Sequence, residues 1–369
     1  RSTLMRSSAA SDVYKRQINN IIKIMKCLIK NVEIKAIATC LPQNTFEMNS
    51  LKGKYEDKEI DNMMKTTGVV RVHVAEQCQT TSDLCFEAAE LLLKSEDINK
   101  DEIDGVVFVS QTFDYLYPAT SVVLQHRLGL SKETICFDIS YGCSGYMYGL
   151  FQAASMIHTG ACKNVLLMAG DTNTKILNPD NLGARMVFGD CGSATLVSVG
   201  TSSMGFHLCS DGSGANTVIN VNGGFRHWPD NAQKLDFSKN ANKGDDVFAF
   251  IVSCGTKSIK TILDFMEWDK DEVDLYALHQ ATKFTLDFMK KKLKLNEDKA
   301  PFDIENYGNT GPTTVPLVIT DYAHKGLEVD TTRWKKVVLA AYGVGLSWGS
   351  IACDLSKTNI YRPINQDLR

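Results

Sequence analysis

The stretch FDISYGCSGYMYGLF, residues 137–151, sets a cysteine between two glycines where an apolar run changes its period. The preceding TICFDIS is apolar and β-prone, which predicts a fully buried strand. Beyond the glycines, Tyr146, Met147, Leu150, Phe151 and Ala154 recur at helical spacing. Cys143 is therefore expected at the end of a core strand and the start of a core helix. Unpaired backbone N–H groups and the positive end of the helix dipole favour a thiolate at such a place. A cysteine is also a small core hydrophobe, and for most of the eleven cysteines that is the better reading. At Cys143 the position favours a nucleophile.

Working outward, strand and helix patterns alternate along the chain. Candidate strands are 32–40, 105–112, 134–140, 164–170, 193–199, 204–210, 273–279, 336–342 and 346–355. Amphipathic helical patterns cover 82–95, 119–129, 145–160, 245–267 and 281–294. Such alternation with apolar strands predicts an α/β fold with its sheets covered on both faces. The polar stretch 212–246 has little period and reads as an excursion, a surface loop system or a linker. The first 24 residues are polar, aperiodic and without the apolar segment of a secretory signal. They read as an unstructured or non-native extension, with a natural start near Met25.

Composition narrows the function classes. The chain has 369 residues, 44% of them hydrophobic and 22% charged, and a formal net charge of −3. It offers no basic surplus for nucleic acid or an anionic membrane. No apolar run approaches the ~18 residues of a membrane span. The cysteines lack CxxC pairs and the seven histidines lack metal-ligand spacing, which argues against a disulfide framework or a zinc site. A reducing cytoplasm is the expected compartment.

An internal echo organises the rest. YGCSG at 141–145 returns as YGNTG at 307–311, each followed by a helix-compatible segment. The strand GVVFVSQT upstream of the first has a counterpart, VDLYALHQ, upstream of the second. Two similar halves are expected, residues 25–203 and 204–369, which would bring Cys143 near Asn309. His279 ends the strand VDLYALH. Alone it reads equally as a hydrogen-bonded structural residue, and Asn309 alone as a turn residue. Together with Cys143 they suit covalent acyl transfer followed by stabilisation of an enolate.

At this point the motifs resemble a known family. GCSGYMYGL around Cys143, FGDCGSATL (188–196), LHQAT at His279, ENYGNTG at Asn309 and YGVGLSWGS (342–350) are similar to those of β-ketoacyl-acyl carrier protein synthase III enzymes, of the thiolase superfamily. The resemblance runs in order from about Met25 to Leu355. It implies a thiolase fold, two α/β halves in a five-layered α/β/α/β/α core, and a homodimer. It implies a Cys143–His279–Asn309 triad, acylated on Cys143 and then condensing the acyl group with a malonyl-carrier thioester as CO₂ leaves. It further implies an oxyanion site from the backbone N–H groups of Cys143 and Val344, and an acyl pocket limited by Tyr117. No cofactor or metal is implied; the partners are an acyl carrier protein and an acyl-CoA or acyl-carrier primer. Other expectations are a non-decarboxylating acyltransferase or hydroxymethylglutaryl-CoA-synthase-like enzyme, and a partner subunit of a heterodimeric ketosynthase. Asn309 favours decarboxylation, and the complete triad disfavours a silent subunit.

The departures concern the donor. Where the family has a Trp and an Arg that grip coenzyme A, this chain has Asn62 and Thr66, and Leu182 matches a further Arg. Phe284 replaces a carrier-docking Arg, with Lys283 beside it as a candidate carrier or coenzyme A contact. YGVGLSWG imitates a dinucleotide fingerprint but lies between two strands, where that motif requires a helix.

Overall fold

The computed structural model describes residues 25–178, 181–220, 226, 244–325 and 329–366. The expected extension 1–24 and most of the polar stretch 212–246 lie outside them. The strands are β1 (Lys26–Pro42), β2 (Thr45–Glu47), β3 (Arg71–His73), β4 (Gly105–Ser110), β5 (Ile135–Ser140), β6 (Asn164–Asp171), β7 (Cys191–Ser210), β8 (Leu275–Leu278), β9 (Val337–Gly343), β10 (Ser347–Cys353), β11 (Asn359–Ile360) and β12 (Ile364–Gln366). The helices are α1 (Asp57–Thr67), α2 (Thr81–Ser95), α3 (Thr120–Arg127), α4 (Gly145–His158), α5 (Leu182–Arg185), α6 (Gly244–Phe250), α7 (Thr256–Met266), α8 (Lys283–Leu293) and α9 (Thr314–Tyr322).

Two long antiparallel strands, β1 and β7, form the middle of the sheet. The first part of β1 pairs with residues 203–207 of β7, and the later part pairs with 192–199. A register shift at Lys30/Val32 divides these parts and a second, at Ile34/Ala36, falls within the later one; such irregularities bend a strand and increase its twist. The same β7 then continues to β6 on one side and to β10 on the other. Strand order is β5-β4-β6-β7-β10-β9-β8. The segments 193–199 and 204–210, expected as two strands, are one strand of 20 residues, and residue 203 lies within it.

The layers follow from the alternation of side chains along the strands. Val107 and Val109 of β4, with Leu275 and Ala277 of β8, share one core with Tyr146, Leu150 and Ala154 of α4 and Val315 and Val318 of α9. The intervening Val106 and Phe108 face outward onto Leu84, Ala88 and Leu92 of α2. On the other side Tyr276 and Leu278 pack against Ile259 and Ile262 of α7 and Leu286 and Met289 of α8. Helices, sheet, central helices, sheet and helices thus make the expected five layers. Phe206 lies in the central layer fully buried, and its truncation to alanine would cost about 3–5 kcal/mol.

Two local expectations need correction. β5 is the terminal strand of the order, paired among the described residues only with β4, and Ile135 and Phe137 are exposed. Its apolar sequence therefore does not mark a strand buried on both faces. The helical pattern 245–267 is α6 and α7 joined through a π-helical turn, Ile251–Gly255.

Candidate active site

Cys143 follows β5 and precedes α4, whose cap is Ser144. Close packing explains the bracketing glycines. A Cβ at Gly145 would lie 2.6 Å from Val109 Cγ1, so no side chain fits between α4 and β4. The Ser144 hydroxyl meets that of Ser347 at 2.6 Å, and Ser347 donates to Val344 O at 2.6 Å. This pins the cysteine turn to the β9–β10 turn. A Cβ at Gly343 would approach Cys143 Cβ to 2.6 Å, so glycine is required where the two turns meet. Val344 follows directly, and β9 leads into β10 as a hairpin, as its motif predicts.

Asn309 approaches Cys143 from the turn that precedes α9. Its backbone N–H donates to Val187 O at 2.8 Å, and Gly189 N–H donates to its carbonyl at 3.2 Å. Its side-chain Oδ1 accepts from Gly311 N–H at 3.0 Å, which leaves the amide NH₂ as the donor that favours the Cys143 thiolate.

His279 is buried at the end of β8. Its backbone N–H donates to Ala340 O at 2.7 Å, and Tyr342 donates its hydroxyl to His279 O at 2.8 Å. The Tyr342 ring stands edge-on to the imidazole, with centroids 5.6 Å apart. Tyr342 immediately precedes Gly343, so the same strand touches His279 and Cys143. Nδ1 is held by the hydroxyl of Thr314 on α9, which leaves Nε2 as the ring atom free to act in the site.

The protonation states correct one expectation. Burial pushes the Cys143 thiol up to about 12; the charge of Asp171 adds to this, while its own backbone N–H and the Asn309 amide oppose it. The resting group is a thiol. A dipole at a helix start does not outweigh the loss of water around sulfur. Burial also pulls His279 down to about 3, so the imidazole is neutral. Asp171, raised to about 7 by burial, accepts from Ser110 Oγ at 2.9 Å and Gln111 N–H at 2.7 Å. What has been assembled is a neutral thiol, a neutral imidazole and an oriented amide donor.

The remaining sequence candidates are placed elsewhere. Tyr117 is 84% exposed, beside Tyr115 and Leu116, which line an open cleft of about 740 Å³ that Gln111, Asp138 and Ser140 also line. Lys283 pairs with Asp287 at 2.6 Å and lies over the Phe302 ring. Phe284 is exposed and packs on Phe248 at 5.2 Å. Sequence reasoning missed Thr314, Asp171 and Gln280. The Gln280 amide donates to Pro301 O at 2.8 Å and accepts from Asp303 N–H at 2.9 Å, joining the His279 strand to the Asn309 loop. Only the adjacency of Gln280 to His279 and of Thr314 to the Asn309 motif hinted at them.

Comparison with known proteins identifies the family. Residues 137–212 match the family described as 3-oxoacyl-[acyl-carrier-protein] synthase III, and residues 263–355 match its C-terminal counterpart. The chain is 30% identical over 303 residues to a β-ketoacyl-[acyl-carrier-protein] synthase III of Desulfitobacterium hafniense, covering 81% of this chain and 90% of that protein. A Caldanaerobacter subterraneus protein of the same name is 30% identical over 298 residues, with 79% and 88% covered. The crystal structure of a 3-oxoacyl-(acyl-carrier protein) synthase from Burkholderia xenovorans superposes with a TM-score of 0.86 at 31% identity, over 93% of this chain and 99% of that one.

Proposed function

The chain belongs to the 3-oxoacyl-[acyl-carrier-protein] synthase III family of condensing acyltransferases, and on that premise we propose that it lengthens an acyl primer by decarboxylative condensation with a malonyl-carrier thioester. Cys143 takes the acyl group from its thioester. His279 Nε2–H and the Asn309 amide then hold the carbonyl of the malonyl thioester while CO₂ leaves and the enolate attacks the acyl-cysteine. The backbone N–H groups of Cys143 and Val344 receive the oxyanion of each tetrahedral intermediate. The observation that carries this reading is the convergence on Cys143 of the Asn309 side chain, which favours its thiolate, and of the β9–β10 turn, whose Tyr342 also holds His279.

The donor is read from what is missing. The positions that grip coenzyme A in the family hold Asn62, Thr66 and Leu182, and Lys283 is already paired with Asp287. An Arg–phosphate contact is worth roughly 1.5–3 kcal/mol, so losing two weakens acetyl-CoA on the order of 10²-fold or more. The primer is an acyl-carrier thioester or a longer acyl-CoA, in fatty-acid or related acyl-chain synthesis. Tyr117, exposed on this chain, reaches across the proposed dimer to limit the partner's acyl pocket. A homodimer is supported by the unpaired edge of β5 and the exposed run Tyr115, Leu116 and Tyr117, since open strand edges and apolar patches are sites of association. Residues 25–203 and 204–369 act as the two duplicated halves. Among the described residues no helix is long and apolar enough to cross a membrane; the setting proposed is the cytoplasm.

The test is intact mass after exposure to a panel of acyl-CoA and acyl-carrier thioesters, followed by malonyl-carrier decarboxylation. An adduct on Cys143, followed by release of a β-ketoacyl-carrier product, is expected. An adduct without decarboxylation would leave only an acyltransferase. Faster loading from acetyl-CoA than from every other donor would refute the donor assignment, and a monomer by light scattering at micromolar concentration would refute the dimer.

A further inference from the structure

Loading a neutral thiol raises a question of where its proton goes. Behind His279 lies a second cluster of titratable groups. Asp303 is 2% exposed, and its Oδ1 accepts from Lys325 Nζ at 2.7 Å. Its Oδ2 is buried without a hydrogen-bond partner. Lys325 is half-exposed and also approaches Asp321 at 3.7 Å. Tyr307 donates to Asp321 Oδ1 at 2.6 Å. A cavity of about 10 Å³, room for one water, is lined by Asp303, Gly308 and Thr314 and by Leu317 and Val318. Thr314 is the residue whose hydroxyl holds His279 Nδ1. The cavity therefore adjoins both Asp303, which Lys325 links to solvent, and Thr314, whose hydroxyl holds the imidazole and at rest donates to Gly311 O at 3.1 Å, from which it must turn to reach a cavity water.

We propose that Asp303 holds the Cys143 proton between the two half-reactions, exchanging it through a cavity water, Thr314 and His279. The proposal rests on the acyl-transfer reading above. In loading, Sγ bonds the acyl carbon as the donor thiolate leaves. The Sγ proton passes to Nε2, the Nδ1 proton to Thr314 Oγ1, and the Thr314 proton through the water to Asp303 Oδ2. The donor thiolate takes a proton from solvent. This leaves the imidazole with its proton on Nε2, the tautomer that can donate to the malonyl thioester. After condensation the acyl carbon–Sγ bond breaks, the thiolate takes the Nε2 proton, and the chain of transfers runs back to leave Asp303 ionised. No imidazolium forms, which suits a histidine whose burial disfavours the charged state.

The surroundings fit a carboxyl that exchanges a proton. Burial first, and then Asp321, push Asp303 well above the ordinary carboxylate range, while Lys325 opposes them. Glu305 and Asp321 act on Lys325, and Cys191 and Asp303 act on Tyr307. Asp171 faces Cys143 itself.

Iodoacetamide tests this without a substrate, because alkylation of Cys143 also expels the thiol proton. Its rate is measured against pH by peptide mass for wild type, Thr314→Val, Thr314→Ser, Asp303→Asn and Asp171→Asn. In wild type the rate should rise through an inflection far below the thiol's own value. Thr314→Val and Asp303→Asn should lose that inflection and slow on the order of 10²-fold at neutral pH; Thr314→Ser should keep it. A wild-type profile in Thr314→Val overturns the proposal, as does an inflection that survives Asp303→Asn and vanishes in Asp171→Asn. Should Asp303→Asn fail to fold, the two Thr314 variants decide. If the inflection is present but malonyl-carrier decarboxylation is absent, the relay stands and the synthase reading falls; the opposite result removes the relay alone.

Discussion

Two segments carry nearly the same letters, FDIS-YGCSG at 137–145 and FDIEN-YGNTG at 302–311, and they fold differently. In the first, FDIS belongs to β5 and pairs in parallel with β4. In the second, residues 302–304 belong to no strand, and the Gln280 side chain binds the backbone there in place of a neighbouring strand. Gly308 and Gly311 sit at φ +67° and +64°, whereas the glycines around Cys143 need no left-handed backbone. The aspartates diverge as well. Asp138 accepts from Thr120 and Ser121 N–H at 2.7 and 2.8 Å and caps α3; Asp303 is sealed in with one oxygen unpartnered. The echo preserves a polar residue delivered before a central helix, while the backbone around it is free to change.

The largest effect should come from the two polar residues themselves. Cys143→Ala should abolish the acyl adduct by mass, while Asn309→Ala should still load. Full labelling of Cys143→Ala would remove the distinction between the segments. Next, Asn309→Ala and His279→Ala should each slow malonyl-carrier decarboxylation by on the order of 10²–10³, with loading in Asn309→Ala reduced far less. Unimpaired condensation in either would refute their role as donors.

Stability separates the glycines. Gly145→Ala and Gly308→Ala should each cost about 1–3 kcal/mol in denaturant melts. Val109→Ala should recover part of the first, because the obstructing atom is a side chain. No side-chain truncation should recover the second, whose Cβ meets Val187 O at 2.5 Å on a left-handed backbone. Recovery of Gly308→Ala by Val72→Ala would show that crowding by that side chain, rather than backbone, sets the cost.

Smaller effects divide the aspartates. Asp138→Ala should cost about 1 kcal/mol as a lost cap. Asp303 holds its proton more tightly folded than unfolded, because burial raises it. Stability should therefore fall as pH rises from the ordinary aspartate value near 4 through the raised folded one. Asp303→Asn should flatten that fall in pH-dependent melts; an unchanged slope would place the cause elsewhere.

Much of this was legible in the chain. The continuous apolar run at 105–110 and the helical spacing after Gly145 are local, so β4 and α4 fall where the pattern predicts. The exposed edge of β5 was not legible, since an apolar strand reads alike whether its outer side meets protein or water. Nor was the joining of 193–199 with 204–210, because the glycine and serines between them resemble a turn until β1 pairs alongside.

The sequence by itself determined the family and the residues offered for chemistry, because Cys143, His279 and Asn309 each sit in a contiguous motif whose residue types are tied to one reaction. Tertiary structure alone decided their state. Whether Cys143 rests as thiol or thiolate depends on water excluded by residues from both halves. Thr314 reaches His279 only because α9 packs beside β8, and Asp303 becomes a candidate proton holder only because Gln280, Lys325 and a water-sized cavity surround it. Desolvation and hydrogen-bond satisfaction are sums over neighbours distant in sequence, and no local pattern records them.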